Sequence, residues 1–309
     1  MLCLSYQSAE EYEVPFDYER IKNWPIPETR QRYTDRDTIL YALGVGAATS
    51  NPLVPEDLQY VYEKGLKALP TMATVLAGGA GWLADPETGI DLTKVLHGEQ
   101  FLTVHSPLPA NGEVIGHDRV DEIYDKGADK GAVMYMSRQI FCAQTNTLLA
   151  TSTWSTFMRG NGGFGGTATG QPKPYAIPTD RPCDLSIELD SRPEQAVIYR
   201  LSGDLNPLHI DPAFAAMAGF DKPILHGMSS YGMAGRAVLK LLCHDDPNRL
   251  RVLNLRFAAP MYPGETLRIE VWHQSAGQAC FRVLATQRNI TILNNGYVEF
   301  DASLPIGKP

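Results

Sequence analysis

Cysteine is scarce in this chain, and long apolar runs are missing. The 309 residues include five cysteines, at positions 3, 142, 183, 243 and 280, and they form no CxxC pair. An odd number at such wide spacing argues against a disulfide framework and a zinc ribbon, and it fits a reducing compartment. No run approaches the roughly 18 apolar residues that a membrane span needs, and the first residues lack the pattern of a signal peptide.

Clustered positive charge is missing as well. Lys and Arg number 27 against 35 Asp and Glu, which gives a net charge of −8. Because proteins bind nucleic acids through clustered Lys and Arg side chains, we expect no nucleic-acid partner. Without a membrane-spanning run we also expect no membrane partner. The last residues, Ile306–Pro309, do not form a peroxisomal tripeptide of the SKL type. We therefore expect a cytoplasmic location, with the peroxisomal matrix as the alternative.

A stretch rich in glycine and proline divides the chain. We predict an N-terminal half over residues 1–160, a linker over 161–182 and a C-terminal half over 183–309. Each half places helical patterns before four strand-like runs. The predicted helices are Asp35–Thr49, Pro70–Ala84, Pro212–Ala218 and Met228–Leu242. The predicted strands are Glu99–His105, Gly112–Tyr124, Ala132–Ala143, Leu148–Met158, Arg251–Phe257, Thr266–Trp272, Ala279–Gln287 and Thr291–Phe300.

A helix followed by antiparallel strands, occurring twice, indicates an α+β architecture. A long helix buried against a curled antiparallel sheet is the hot-dog arrangement. Two such units in one chain predict a double hot dog.

The segment Tyr199–Pro212, YRLSGDLNPLHIDP, concentrates polar and titratable residues. Asp211 and Pro212 predict a helix start, so the residues before them form a loop that Pro207 stiffens. Asp204, Asn206 and His209 then lie close together. A carboxylate, an amide and an imidazole that share a water molecule can perform general acid–base catalysis.

A second short segment follows at Leu225–Met228, LHGM. Gly227 opens a predicted apolar helix, whose first N–H groups are unpaired and lie at the positive end of the helix dipole. Such an N–H suits a thioester oxygen that becomes an enolate. We interpret His226 as a residue that orients its loop. Without a third and fourth ligand near His209 and Asp211, we expect no metal.

The runs YRLSGDLNPLHIDP and AGFDKPILHGM resemble the (3R)-specific enoyl-CoA hydratases of the MaoC-like, hydratase 2 group. Further similar stretches are Tyr41–Gly46, Lys94–Gln100, Gly162–Gly166 and Arg256–Phe257, so the resemblance covers nearly the whole chain. It implies a double hot dog whose C-terminal half is catalytic. The N-terminal half has no acid–base motif and is expected to accommodate the acyl chain.

The resemblance also assigns residues. It implies that Asp204 and His209 form the acid–base pair, with Asn206 beside them and Gly227 at the oxyanion position. It implies CoA-ester contacts at His97, Gly98, Lys126 and Phe257, and substrate contacts from Leu205, Pro207 and Leu208 in the loop. Glu63 matches a glutamate that matters in the family, although the residues after it diverge.

The activity implied by the resemblance is hydration of trans-2-enoyl-CoA to (3R)-3-hydroxyacyl-CoA, with no cofactor besides the CoA thioester itself. A homodimer is an associated expectation, and two pathways stay possible: fatty-acid β-oxidation and the supply of (3R)-hydroxyacyl-CoA to polyester synthesis. Three alternatives stay open on sequence grounds: an acyl-CoA thioesterase, a dehydratase acting on acyl-carrier-protein substrates, and a non-catalytic acyl-CoA-binding protein.

Overall fold

The structure is a computed structural model that describes residues 14–49 and 54–303. These residues form six α-helices and ten β-strands. The helices are α1 (Tyr18–Lys22), α2 (Asp35–Gly44), α3 (Pro55–Val61), α4 (Gln195–Tyr199), α5 (Pro212–Met217) and α6 (Gly227–Leu242). The strands are β1 (Thr29–Tyr33), β2 (Val95–Val104), β3 (Gly112–Asp125), β4 (Ala132–Cys142), β5 (Leu148–Met158), β6 (Leu185–Asp190), β7 (Leu250–Phe257), β8 (Thr266–Ser275), β9 (Gln278–Ala285) and β10 (Ile290–Phe300).

All ten strands belong to one antiparallel sheet. Their order is β1-β3-β4-β5-β2-β7-β10-β9-β8-β6. Counted from either edge of the sheet, the strands of each half follow the same order: the first, third, fourth, fifth and second strand of that half. The two halves meet in the centre of the sheet, where β2 pairs with β7. This symmetry agrees with two sheet units of the same topology in one chain.

The long helix α6 forms the centre of the molecule. Twelve of its sixteen residues are buried, and one apolar cluster combines residues of both halves, such as Leu102 and Ile140 with Leu253 and Val298. Because α6 and the sheet share this core, the N-terminus of α6 is held at a fixed place beside β7. None of the helices in the described ranges combines the length and apolar character needed to cross a bilayer.

The prediction of a second long helix, over Pro70–Ala84, is wrong. That region contains only short 3-10 segments, at Pro70–Val75 and Ala80–Ala84. Gly78 and Gly79 between the two segments oppose a continuous helix, since glycine costs backbone entropy, and Ala77 just before them has a positive φ of 50°. The N-terminal half thus has the ten-residue α2 in place of the long helix that the prediction gave to each unit.

The segment between β5 and β6 is ordered by its contacts, although it contains no helix or strand. Both carboxylate oxygens of Asp125 accept backbone N–H groups from it, those of Gly163 and Gly165, each at 2.7 Å. The ring of Phe164 packs against Phe16 and Tyr18. The predicted linker is therefore anchored onto the first half of the molecule, and further along it Tyr175 stacks on Tyr297 of β10 with the ring centroids 4.0 Å apart.

Candidate active site

The loop before α5 is shaped by its own side chains. Asn206 accepts the Leu208 N–H at 3.0 Å through Oδ1 and thereby caps the 3-10 turn Pro207–His209. Asp204 accepts the Asn206 N–H at 3.1 Å through Oδ1. Both are hydrogen bonds from a side chain to the backbone two residues on, which is what aspartate and asparagine favour in turns. The second carboxylate oxygen of Asp204 remains available.

That oxygen faces His209. Asp204 Oδ2 lies 3.9 Å from His209 Nε2, which is too long for a direct hydrogen bond but short enough for both atoms to bind one water molecule. His209 Nδ1 lies 2.9 Å from the Ile224 carbonyl. Because a carbonyl only accepts, Nδ1 carries the hydrogen in the neutral ring and Nε2 is the basic nitrogen. Burial lowers the pKa of His209 below its ordinary value, which favours this neutral form.

His226 belongs to the same cluster, which the sequence prediction missed. Its ring stacks on that of His209 with the centroids 3.7 Å apart, and its Nε2 lies 3.1 Å from the Asp204 carbonyl. Burial, together with the nearby His209, lowers the pKa of His226 to about 4. The neutral ring thus donates from Nε2 to the loop that carries Asp204. The only sequence signal for this role is a histidine directly before the first residue of a buried helix.

Gly227 provides an unpaired donor beside this cluster. It is the first residue of α6, and its N–H has no acceptor among the described residues. A Cβ at this position would lie 3.1 Å from Phe257 Cε1, so glycine lets the Phe257 ring pack closely against the start of α6. An oxygen atom that reaches the Gly227 N–H meets a donor at the positive end of a sixteen-residue helix.

His97 and Phe257 form the opposite wall. Their rings meet edge to face with the centroids 4.8 Å apart, and His97 Nε2 lies 3.0 Å from the Glu99 carbonyl. Surrounding protein atoms lower the pKa of His97 to about 4, although the residue stays accessible to solvent. The negative charge of Asp204 partly offsets this effect, because it raises the pKa of all three rings, those of His97, His209 and His226.

Two clefts are lined by residues that neighbour the site residues in sequence. One, of about 900 Å³, is lined by Gly98 and Lys126 among others. The other, of about 430 Å³, begins at Gly203, next to Asp204, and is lined by side chains that include Leu40, Met72 and Leu76. The structure therefore places Gly98 and Lys126 together in the first cleft, and Gly98 directly follows His97 in the chain.

The remaining residues predicted to contact substrate lie at the edge of the cluster or away from it. Leu205 is exposed at the surface of the loop, and Pro207 and Leu208 are partly buried beside His209. Glu63 lies exposed just after α3 and makes no hydrogen bond or ion pair with any described residue. The contacts in this part of the chain thus do not connect Glu63 with the cluster.

The cluster also offers three ligand atoms for a metal. One atom each from Asp204, His209 and His226 lies within 4.8 Å of the others. The prediction of no metal rested on the lack of a third ligand, and His226 supplies one. Nδ1 of His209 and Nε2 of His226 face backbone carbonyls, however, which leaves His209 Nε2 and the Asp204 carboxylate as the accessible pair.

Comparisons with known proteins cover nearly the whole chain. Residues 31–160 match the family model of the MFE-2 hydratase 2 N-terminal domain, and residues 174–295 match that of the MaoC-like domain. The chain is 34% identical to enoyl-CoA hydratase 2, peroxisomal, of Arabidopsis thaliana, over 89% of this chain and 92% of the relative. It is 38% identical to the mouse peroxisomal multifunctional enzyme type 2 over 89% of this chain, but it spans only 37% of that longer protein.

Solved structures agree with these matches. A MaoC-like dehydratase from Phytophthora capsici superimposes with a TM-score of 0.81 at 32% identity, covering 93% of this chain and 99% of the other. A double hot-dog protein of Mycobacterium tuberculosis superimposes with a TM-score of 0.55 at 13% identity, over 89% of this chain and 94% of the other, a likeness of fold alone. The predicted double hot-dog fold is confirmed, apart from the missing long helix in the first half.

Proposed function

This chain belongs to the hydratase 2 branch of the MaoC-like family, and on that premise we propose that it reversibly hydrates trans-2-enoyl-CoA to (3R)-3-hydroxyacyl-CoA. The observation that carries the proposal is the pairing of a carboxylate and a neutral imidazole 3.9 Å apart, beside an unpaired helix N–H. These are the parts that water addition to an α,β-unsaturated thioester requires: an acid–base pair and an oxyanion donor.

In the proposed mechanism, the thioester oxygen accepts a hydrogen bond from the Gly227 N–H. This polarises the C2=C3 bond, because the negative charge that develops on the oxygen is stabilised at the helix end. One water binds between Asp204 and His209. His209 Nε2 takes a proton from this water as its hydroxide adds to C3. The protonated imidazole passes that proton to the neighbouring Asp204 carboxylate, and Asp204 delivers it to C2, so both groups end in their starting states.

Asn206 acts in this proposal as a positioning residue. Its Oδ1 caps the turn that carries His209, and its backbone N–H holds one oxygen of Asp204. The distance between the two catalytic groups therefore depends on it. The reaction moves only the elements of water, so no redox cofactor takes part, and the CoA thioester is the substrate.

We assign the acyl chain to the cleft of about 430 Å³ that begins at Gly203. Its inner wall comes mainly from the N-terminal half, from α2 and from the segment Pro70–Val75. The N-terminal half has no acid–base motif of its own, but it supplies most of the lining of this cleft. This supports a division into an N-terminal half that accommodates the acyl chain and a C-terminal half that is catalytic. The CoA end of the substrate then occupies the opposite cleft at Gly98 and Lys126.

The experiment follows the wild-type protein with crotonyl-CoA and with trans-2-decenoyl-CoA. Loss of the enoyl-thioester absorbance, a (3R) product on chiral analysis and no free thiol are expected. Thiol release would instead identify a thioesterase, and turnover only of acyl-carrier-protein thioesters would identify a carrier-protein dehydratase. Binding without turnover would contradict catalysis altogether.

A homodimer in the cytoplasm, serving fatty-acid β-oxidation, completes the proposal. Several apolar side chains next to the catalytic loop are exposed, which suits a surface that a second copy covers: Val197 at 57%, Leu201 at 59%, Leu205 at 58% and Met217 at 78%. Sedimentation of the purified protein is expected to give twice the chain mass. A monomer at micromolar concentration would contradict the dimer without affecting the proposed reaction.

A further inference from the structure

The cleft of about 900 Å³ is unusually rich in positive charge for this acidic protein. Four cations line it, Lys126, Lys130, Arg159 and Arg256, against the two acids Glu99 and Asp129. The chain as a whole carries a net charge of −8. The cleft therefore gathers positive charge locally where the average surface is negative, as expected of a site for a small polyanion.

These cations are not neutralised by other side chains. Across residues 14–49 and 54–303, none of the four forms an ion pair. Glu99 instead accepts a hydrogen bond from the Tyr135 hydroxyl at 2.5 Å. Lys126 donates to the Ala168 carbonyl and so holds the segment that closes the cleft. Lys130, Arg159 and Arg256 are exposed, and their side chains form no hydrogen bond with the described residues.

The position of the cleft connects it with the catalytic cluster. Arg256 and Phe257 are consecutive in β7 and point to opposite faces of the sheet. Phe257 contacts His97 and approaches Gly227 on the catalytic side, whereas Arg256 lines the cleft. Between them the pairing of β2 with β5 is irregular at Gly98, where a Cβ would lie 2.8 Å from Ser155 Oγ. Gly98 thus lines the cleft directly next to His97, whose ring contacts Phe257.

We propose that Lys130, Arg159 and Arg256 bind the phosphates of the nucleotide end of CoA and so select CoA over carriers without those phosphates. The proposal rests on the proposed function, since it concerns the carrier of the same thioester. A volume of about 900 Å³ suits a nucleotide. Arg159 and Arg256 can each bind phosphate oxygens in pairs through the guanidinium group, whereas Lys130 contributes a point charge.

The test compares two thioesters that differ only in the nucleotide. Lys130→Gln, Arg159→Gln and Arg256→Gln are assayed with crotonyl-CoA and with crotonyl-pantetheine. Each variant is expected to raise KM for crotonyl-CoA about two- to fivefold, the range for one exposed ionic contact, with kcat unchanged. The triple variant is expected to raise it by at least about tenfold. None should change KM for crotonyl-pantetheine.

The matched control is Arg36→Gln, which removes from a different cleft an exposed cation that forms no ion pair with any residue the structure describes. It should leave KM unchanged for both thioesters. In the wild-type protein, added salt should raise KM for crotonyl-CoA and not for crotonyl-pantetheine, because it screens exposed charges. Calorimetry with adenosine 3′,5′-bisphosphate should detect binding to the wild-type protein and weaker binding to the triple variant.

The outcomes separate this inference from the proposed function. Equal KM changes for both thioesters, or unchanged nucleotide binding in the triple variant, would overturn the phosphate assignment while hydration itself remains. A larger effect of the variants on acyl-carrier-protein thioesters than on crotonyl-CoA would show that an acidic carrier protein is the partner, and would also overturn it. Absence of hydration by the wild-type protein would overturn the proposed function instead, and calorimetry would still test the cleft.

Discussion

At the scale of single residues, the protonation state of His209 sets the acid limit of activity. Burial lowers its pKa below the ordinary value of 6.5. Because only the neutral ring can accept a proton from water, kcat/KM should stay constant near neutrality and fall as the pH decreases through a midpoint below 6.5. A pH profile of crotonyl-CoA hydration checks this. A midpoint at or above 6.5 would contradict a neutral, buried base.

His226 gives a second test at this scale. Its Nε2 donates to the Asp204 carbonyl, so it couples the catalytic loop to the start of α6. His226→Met keeps the bulk and removes the donor, which should lower kcat by about tenfold with little change in KM. His226→Gln retains a donor at a similar reach and should recover most of the rate. If both variants lose activity equally and unfold at a lower temperature, the ring serves only the packing of the core.

Among elements, α3 and α6 are joined by a buried ion pair. Asp57 accepts from Arg236 Nη2 at 2.8 Å and from the Ala48 N–H at 2.9 Å. Asp57→Ala leaves Arg236 buried without its carboxylate, which should destabilise the protein by about 3–5 kcal/mol in urea unfolding. Lys94→Ala breaks an exposed pair with Asp91 and should cost at most about 1 kcal/mol. A loss below about 1 kcal/mol for Asp57→Ala would mean that water replaces the pair.

The sequence predicts the elements unevenly, and the exceptions have physical causes. Strands such as β8 are predicted because one face is buried and the residues alternate, whereas β1, TRQRY, is an edge strand with charged side chains and no such contrast. The catalytic loop is predicted because its residues are adjacent in sequence. Lys130, Arg159 and Arg256 converge from three parts of the chain, so their common cleft becomes visible only in the folded protein.

For the whole molecule, the buried histidines make folding sensitive to acid. The pKa of His226 is about 4 in the folded protein against 6.5 for a solvated histidine. Between these values the unfolded chain binds the proton and the folded protein does not, so stability decreases as the pH falls from 6.5 toward 4. The melting temperature should drop over this window, and less steeply in His226→Gln. Identical slopes would assign the acid sensitivity to other groups.

The most direct test of the account compares Asp204→Asn and His209→Gln with the wild-type protein in hydration of crotonyl-CoA. Both side chains keep their size and lose the ability to exchange the proton. Each variant is expected to lose on the order of 10²–10⁴ in kcat while remaining folded and binding CoA as the wild type does. Turnover near the wild-type rate in both variants would contradict catalysis by this carboxylate and imidazole.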